Sequence, residues 1–155
     1  MQAMKFRLAE PKDLPELAEM RIAHKAEEGS YAENTEMFKR DFIESVEPRL
    51  SNELVIFLIE SNCSLVSCAY GVIVNKIPKP SSMASKFIYL TGVYCKPKYR
   101  GGVGSKLIKD ISSWVKLNGF EFVITWPSEK SQTLYSRLGY SPSESYELEI
   151  SEYST

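Results

Sequence analysis

Apolar positions in the first third of the chain recur at helical spacing. Residues 4–8 alternate and predict a short strand, after which Pro11, Asp13 and Pro15 are typical of a helix start. The apolar residues of 14–26 then fall on one face, which predicts a helix to about residue 28, where Gly29 interrupts it. A second apolar stripe within residues 33–46 predicts a second helix.

The middle of the chain changes to a strand pattern. Residues 54–60 are almost continuously apolar, which predicts a strand covered on both faces. A turn at residues 61–64 joins it to a second predicted strand, 65–77, in a hairpin. Residues 87–95 predict a third long strand, and Gly92 in its middle indicates a bulge or a close backbone approach.

The last third alternates between helices and strands. Apolar residues of 103–115 lie at helical spacing and predict a helix that ends at Gly119. A buried strand at 120–126, a short helix at 129–138 and a final strand at 146–150 are predicted to follow. No linker or repeat divides the chain, so residues 1–155 are predicted to form a single α/β domain: a mixed, mostly antiparallel sheet flanked by helices.

Composition narrows the classes of function. The net charge is −1, which argues against a broad nucleic-acid or anionic-membrane surface, and no apolar run is long enough to span a membrane. The first residues lack an apolar signal core. Three cysteines without metal-ligand spacing and a single histidine argue against a zinc site, so we expect no metal and reduced thiols in a cytoplasmic protein.

A glycine-rich turn carries the clearest chemical signal. The segment from Arg100 to Ser105 places Gly101, Gly102 and Gly104 between a strand and a helix. Unpaired N–H groups, the helix dipole and missing Cβ atoms make such a turn a site for an anion. A purely structural turn is one alternative. The spacing does not fit a nucleotide P-loop or a dinucleotide fingerprint, whereas it suits a cradle for the pyrophosphate of an acyl-CoA.

Two segments resemble signatures of one family. Residues 97–107, Pro-Lys-Tyr-Arg-Gly-Gly-Val-Gly-Ser-Lys-Leu, resemble the acyl-CoA signature of the GNAT superfamily of N-acetyltransferases, although Arg100 stands one place closer to the glycines than in the family pattern. Residues 128–140 resemble the family's later segment, which contains a Leu-Tyr pair and a glycine. The order of elements also matches over nearly the whole chain. The resemblance implies GNAT architecture and acetyl-CoA as the cosubstrate.

The resemblance also implies roles for particular residues. Tyr135 stands at the family's general-acid position, where the alternative is a packing aromatic. The strand before the turn is expected to diverge from its neighbour at a bulge and to bind the pantetheine chain through its backbone. The residues expected to bind the cosubstrate are Val93, Tyr94, Cys95, Arg100, Gly101, Gly102, Val103, Gly104, Ser105 and Ser128.

The sequence leaves four points open: the general base, the acceptor, the class of function and the oligomeric state. The third strand contains no carboxylate, so the base could be water, His24 or one of the acidic residues at 27–36. The acceptor is expected to be a primary amine of a small molecule or a peptide. A CoA-binding regulatory domain with little catalysis is the alternative function, and a purely structural domain is a third. Dimers are common in the family, which leaves a homodimer open.

Overall fold

The computed structural model describes residues 3–150, which fold around one five-stranded sheet. The strands lie in chain order across the sheet. The first four are antiparallel neighbours, and the fifth runs parallel to the fourth. The predicted α/β class, with a mixed and mostly antiparallel sheet, is therefore confirmed. The strands are β1 (Lys5–Leu8), β2 (Leu54–Ser61), β3 (Ser64–Asn75), β4 (Lys86–Cys95) and β5 (Val123–Ile124).

Four α-helices flank this sheet in the described residues: α1 (Leu14–Glu27), α2 (Thr35–Val46), α3 (Val103–Leu117) and α4 (Gln132–Arg137). A 3₁₀ turn at Pro11–Asp13 leads into α1. Asn34 caps α2, because its Oδ1 accepts the Met37 N–H at 3.0 Å. None of the helices within residues 3–150 is long and apolar enough to cross a membrane.

Two apolar clusters cover the two faces of the sheet. On one face Leu14, Leu17 and Met20 of α1 pack with alternate residues of β2. On the other, Leu107, Ile108 and Ile111 of α3 pack with the intervening ones. Successive side chains of a strand point to opposite faces, so a strand between two helical layers must be apolar throughout. The prediction that residues 54–60 are covered on both faces is confirmed.

The predicted buried strand at 120–126 is mostly wrong. Only Val123 and Ile124 pair with β4, and Phe122 and Trp126 keep 45% and 62% of their surface exposed. Phe122 stacks on Phe87 with ring centroids 4.6 Å apart. The segment therefore forms a strand ladder with β4 over only two residues, and Phe122 and Trp126 on either side of that ladder remain at the surface.

The predicted final strand at 146–150 is not found. This segment has no regular secondary structure, and Tyr146, Leu148 and Ile150 are 104%, 82% and 89% exposed. Alternating apolar residues favour a strand, but a strand forms only beside a partner, and the two residues of β5 offer almost no ladder to join.

A buried ion pair fixes the entry into α1. Asp13 is 7% exposed and accepts hydrogen bonds from Arg7 at 2.7 and 2.8 Å and from the backbone N–H of Glu10 at 2.7 Å. Arg7 also pairs with Glu60 at 2.9 Å. The bonds from Arg7 hold the pKa of Asp13 below its ordinary value, against the opposing effect of burial.

We expect Asp13→Asn to lower the free energy of unfolding by about 2 to 3 kcal/mol, because it leaves part of a buried guanidinium without its counter-charge. Because the pKa of Asp13 is lowered in the folded state, the ionised carboxylate stabilises the fold above its unfolded pKa of about 3.8. That stabilisation is lost as pH falls through the folded pKa, so wild type and variant should converge in acid. Urea unfolding at several pH values measures this. Asp41→Asn, at an exposed pair with Arg40, is the control and should change stability by less than about 0.5 kcal/mol.

Candidate active site

A gap opens beside the second half of β4. The β4–β5 ladder consists of Ile88 with Val123 and Tyr89 with Ile124, and no described strand follows it alongside residues 91–95. The β3–β4 register shifts in the same place, because Cys68 opposes Tyr94 whereas Tyr70 opposes Thr91. The extra residue is a bulge at Gly92, whose φ is +63°. The bulge predicted at Gly92 is confirmed.

The bulge is also a place of close approach. A Cβ on Gly92 would lie 2.8 Å from Cδ2 of Tyr70 and 3.0 Å from Nη1 of Arg21, so only glycine fits there. The next two residues take opposite faces: Val93 packs with the α3 cluster and Tyr94 with the α1 cluster. The backbone of residues 93–95 therefore lies at the gap between the two helical layers.

The glycine turn follows directly at the end of β4. Gly101 and Gly102 have φ of +113° and +135°, and α3 begins at Val103. The first backward hydrogen bond of this helix is from Lys106 N–H to the Gly102 carbonyl at 3.1 Å. The N–H groups of residues 103–105 thus have no helical acceptor, and no side chain caps them.

The space in front of this turn is open. A Cβ on Gly101, Gly102 or Gly104 would meet no heavy atom within 4 Å among the residues that the structure describes. Unpaired N–H groups, a helix N-terminus and free space are the features that an anionic group such as a pyrophosphate requires. The local geometry therefore fits the pyrophosphate of an acyl-CoA, which the sequence predicts at this turn.

The side chain of Arg100 is directed to α1. Its Nη2 donates to both carboxylate oxygens of Glu27 at 2.7 and 2.9 Å, and its Nε donates to the Cys95 carbonyl at 3.0 Å. The guanidinium also lies 5.7 Å from the ring centre of Tyr94. Arg100 thus joins the turn to the end of α1. No sequence pattern indicates this pair, because its two residues are 73 positions apart.

Tyr135 lies on the α3 side of the sheet. It is 7% exposed in the α3 cluster and hydrogen-bonds with Thr125, whose own hydroxyl donates to the Leu90 carbonyl at 2.9 Å. Burial raises the pKa of Tyr135 above its ordinary value, although the bond with Thr125 acts in the opposite direction. The phenol therefore stays protonated at neutral pH. Thr125, which the sequence did not single out, connects Tyr135 to β4.

Ser128 has a different environment from the one expected for a helix cap. It precedes the 3₁₀ turn Glu129–Ser131, is exposed, and its hydroxyl bonds with the Ser131 hydroxyl at 2.8 Å rather than with the backbone. Ser128 is thus the N-cap residue of this turn by position, but its side chain does not cap it. Its role toward the cosubstrate stays a prediction.

The candidate bases and nucleophile are mostly engaged. Glu27 holds Arg100, and Glu28 pairs with Lys25 at 2.8 Å. His24 stacks on Tyr94 with ring centroids 5.0 Å apart, and burial lowers its pKa. Burial also raises the pKa of the Cys95 thiol, which makes it a poor nucleophile. Within residues 3–150 no group of three or more His, Cys, Asp or Glu side chains is placed to hold a metal ion.

A separate cleft of about 710 Å³ lies between the first half of α1 and the connection after β4. Glu16, Glu19, Lys96 and Lys98 contribute charges to it, and Tyr94 forms part of its wall. The glycines of the turn do not line it. It therefore meets the α1 side of β4 at Tyr94 but does not include the glycine turn.

Solved structures share this fold. A predicted acetyltransferase from Clostridium acetobutylicum, solved with acetyl-CoA, superposes with a TM-score of 0.77 at 20% identity over 96% of both chains. A GCN5-related N-acetyltransferase from Ralstonia eutropha JMP134 gives 0.74 at 23% identity, over 96% of this chain and 99% of that one. An aminoglycoside N-acetyltransferase in complex with CoA gives 0.72 at 17%, over 98% and 97%. The chain matches no curated protein.

The sequence itself matches a family model across the region that builds the gap. The model describes the acetyltransferase (GNAT) family, and it matches residues 17–140. That range contains most of α1, strands β2 to β5, the glycine turn and Tyr135. Since the match extends over well more than half of the chain and the fold agrees, this protein belongs to the acetyltransferase (GNAT) family.

Proposed function

We propose that this protein is a cytoplasmic N-acetyltransferase that moves the acetyl group of acetyl-CoA to a primary amine. The observation that carries the proposal is the gap beside residues 91–95 of β4, which ends at a glycine turn with free N–H groups. Acetyl-CoA supplies the acetyl thioester. The amide chain of its pantetheine suits backbone bonding by Val93, Tyr94 and Cys95, and its pyrophosphate suits the turn at residues 101–105.

The chain's own groups support direct attack by the amine. A backbone N–H near Val93 at the bulge is placed to polarise a carbonyl, and Tyr135 gives its phenolic proton to the thiolate that leaves. The neutral amine forms the carbon–nitrogen bond as the carbon–sulfur bond breaks. The proton that the nitrogen loses as it becomes an amide goes to water, and a proton from water returns to the Tyr135 phenolate. This assignment needs no carboxylate in β4, which has none.

We expect acetyl-CoA to stabilise the folded protein. At 100 times its dissociation constant a ligand of the native state adds about 2.7 kcal/mol. For a chain of this size that corresponds to a rise in melting temperature of about 5 to 10 °C. Thermal unfolding with acetyl-CoA measures it, and pantetheine, which lacks the pyrophosphate, is the matched control with a smaller shift.

Release of CoA thiol in the presence of amines then tests transfer. Amine-dependent release is the expected result. A shift in melting temperature with no release from any amine would support the CoA-binding regulatory domain instead. No shift at all would contradict both functions and would leave the turn a structural one.

A further inference from the structure

Arg21 of α1 has no role in the proposed function. Its Nη1 lies 3.0 Å from the position that a Cβ of Gly92 would take, so the guanidinium is against the backbone at the bulge. Its Cζ is 5.7 Å from the ring centre of Tyr70. The charge of Arg21 is therefore beside the segment of β4 at which the acetyl carbonyl is proposed to lie.

This guanidinium has no hydrogen-bond or ion-pair partner among residues 3–150, although it is half-buried. Arg7, Arg40, Arg49 and Arg100 each pair with a carboxylate. The charge of Arg21 helps to lower the pKa of Glu28, but the carboxylate oxygens of Glu28 bond to Lys25 and His24. A partly buried guanidinium whose donors meet no protein acceptor is available to bind an anionic ligand.

Two more polar groups on the same side have no partner in the part of the chain that the structure describes. The hydroxyl of Tyr70 and Nδ1 of His24 are both buried and unbonded. The ring of Tyr70 touches the bulge at Gly92, and His24 stacks on Tyr94, two residues further along β4. Unsatisfied buried polar groups are few in native proteins, so two beside one unpaired arginine point to a ligand there.

The positions of these residues on the two faces of the sheet indicate the side from which the ligand approaches. Tyr135 belongs to the α3 cluster, whereas Tyr70 and Tyr94 belong to the α1 cluster. With the acid on the α3 side, the amine approaches the bulge from the α1 side. It then meets Arg21 immediately beside its point of attack.

The acidic residues near α1 do not form a site for a cation. Glu27 pairs with Arg100, Glu28 with Lys25, and Glu19 and Glu36 share Lys39. The remaining unpaired charge at the bulge is positive.

We propose, on the basis of the proposed function, that the acceptor is an amine with a carboxylate on the adjacent carbon, as in a free amino acid, and that Arg21 binds this carboxylate. A guanidinium binds a carboxylate through two parallel hydrogen bonds and so orients the neighbouring amine. Arg21 is then a specificity-determining residue. The hydroxyl of Tyr70 offers a further donor.

The test compares free L-amino acids with their amides as acceptors, using thiol release. The amides have less basic amines, so their intrinsic reactivity does not favour the acids. We expect the wild type to prefer the acids. Arg21→Gln should raise KM for an acid by about 10- to 100-fold and leave the amide within about twofold, and Arg21→Lys should fall between.

Arg40→Gln, which removes an exposed arginine of α2, is the matched control and should change neither KM. The acetyl-CoA shift in melting temperature verifies that each variant folds. Equal use of acids and amides would overturn the proposal while N-acetyl transfer stands, and so would equal slowing of both by Arg21→Gln.

A separate measurement covers the case in which no amine reacts, which would refute the proposed transfer. Calorimetric binding of N-acetyl amino acids to the CoA complex then decides the role of Arg21. Binding that Arg21→Gln weakens by about tenfold or more supports the carboxylate site. Binding that is absent, or that Arg21→Gln does not change, overturns it.

Discussion

Tyr135→Phe is expected to lower kcat by about 100-fold or more and to leave acetyl-CoA affinity within about twofold. The change removes one hydroxyl, which hydrogen-bonds with Thr125 at the back of the gap. General-acid catalysis contributes about 10²- to 10⁴-fold, and a phenol that burial keeps protonated is suited to protonate a departing thiolate. Single-turnover thiol release together with titration of acetyl-CoA separates the two effects.

The pH dependence gives a second readout for the same variant. Because the pKa of Tyr135 is raised, the acid stays protonated through neutral pH, and its ionisation should reduce the wild-type rate only at alkaline pH. The Phe variant should lack this alkaline decline.

Tyr140→Phe is the matched control for Tyr135→Phe. Its ring packs against Tyr135 at 5.1 Å, and its hydroxyl contacts the Ser112 hydroxyl at 3.4 Å. Loss of this hydroxyl should cost about 1 kcal/mol of stability or less and little turnover. Equal turnover in Tyr135→Phe and wild type would show that Tyr135 is only a packing aromatic.

Gly102→Val is expected to reduce acetyl-CoA affinity by about 100-fold and to remove most of the ligand-induced rise in melting temperature. The φ of +135° at Gly102 is open to glycine and strained for any L side chain. A Cβ there would meet no protein atom within 4 Å, so the damage comes from strain at the turn and from loss of the open space in front of it. Titration of acetyl-CoA and thermal unfolding measure the two consequences.

Gly104→Ala, two residues away, is the control for Gly102→Val. Gly104 lies in the first turn of α3 without a positive φ, and alanine raises helix propensity by up to about 1 kcal/mol. We therefore expect equal or greater stability and acetyl-CoA affinity within about threefold. Comparable losses in both variants would contradict a special role for the conformation of Gly102.

The sequence predicted the elements whose signals are local. The unbroken apolar run of β2, the hairpin to β3 and the glycine turn before α3 each follow from a few neighbouring residues, and each is present. The bulge at Gly92 was predictable, because a glycine weakens the interior of a strand and often marks a bulge or a close backbone approach. The strand predicted at 146–150 is not found, because a strand depends on a partner that its own residues do not encode.

The candidate site likewise has features that the sequence predicts and others that it does not. Backbone features of residues 93–95 and 101–105 are recognisable from the order of glycines and strands. The partners of charged side chains are not, since Glu27 and Arg100 meet only after α1 crosses the sheet. Without those pairs the acidic residues of the early helices look available, and Arg21 looks like one more surface cation.

The ion pair between Glu27 and Arg100 has a consequence for distances within the site. Arg21 and Glu27 are six residues apart on one helix, which corresponds to about 9 Å along its axis. One end of that span contacts the bulge and the other contacts the glycine turn. Helix α1 therefore sets the separation between the bulge and the glycine turn, where the acceptor and the pyrophosphate are proposed to bind. A single inserted residue would turn one end of this span by about 100° relative to the other.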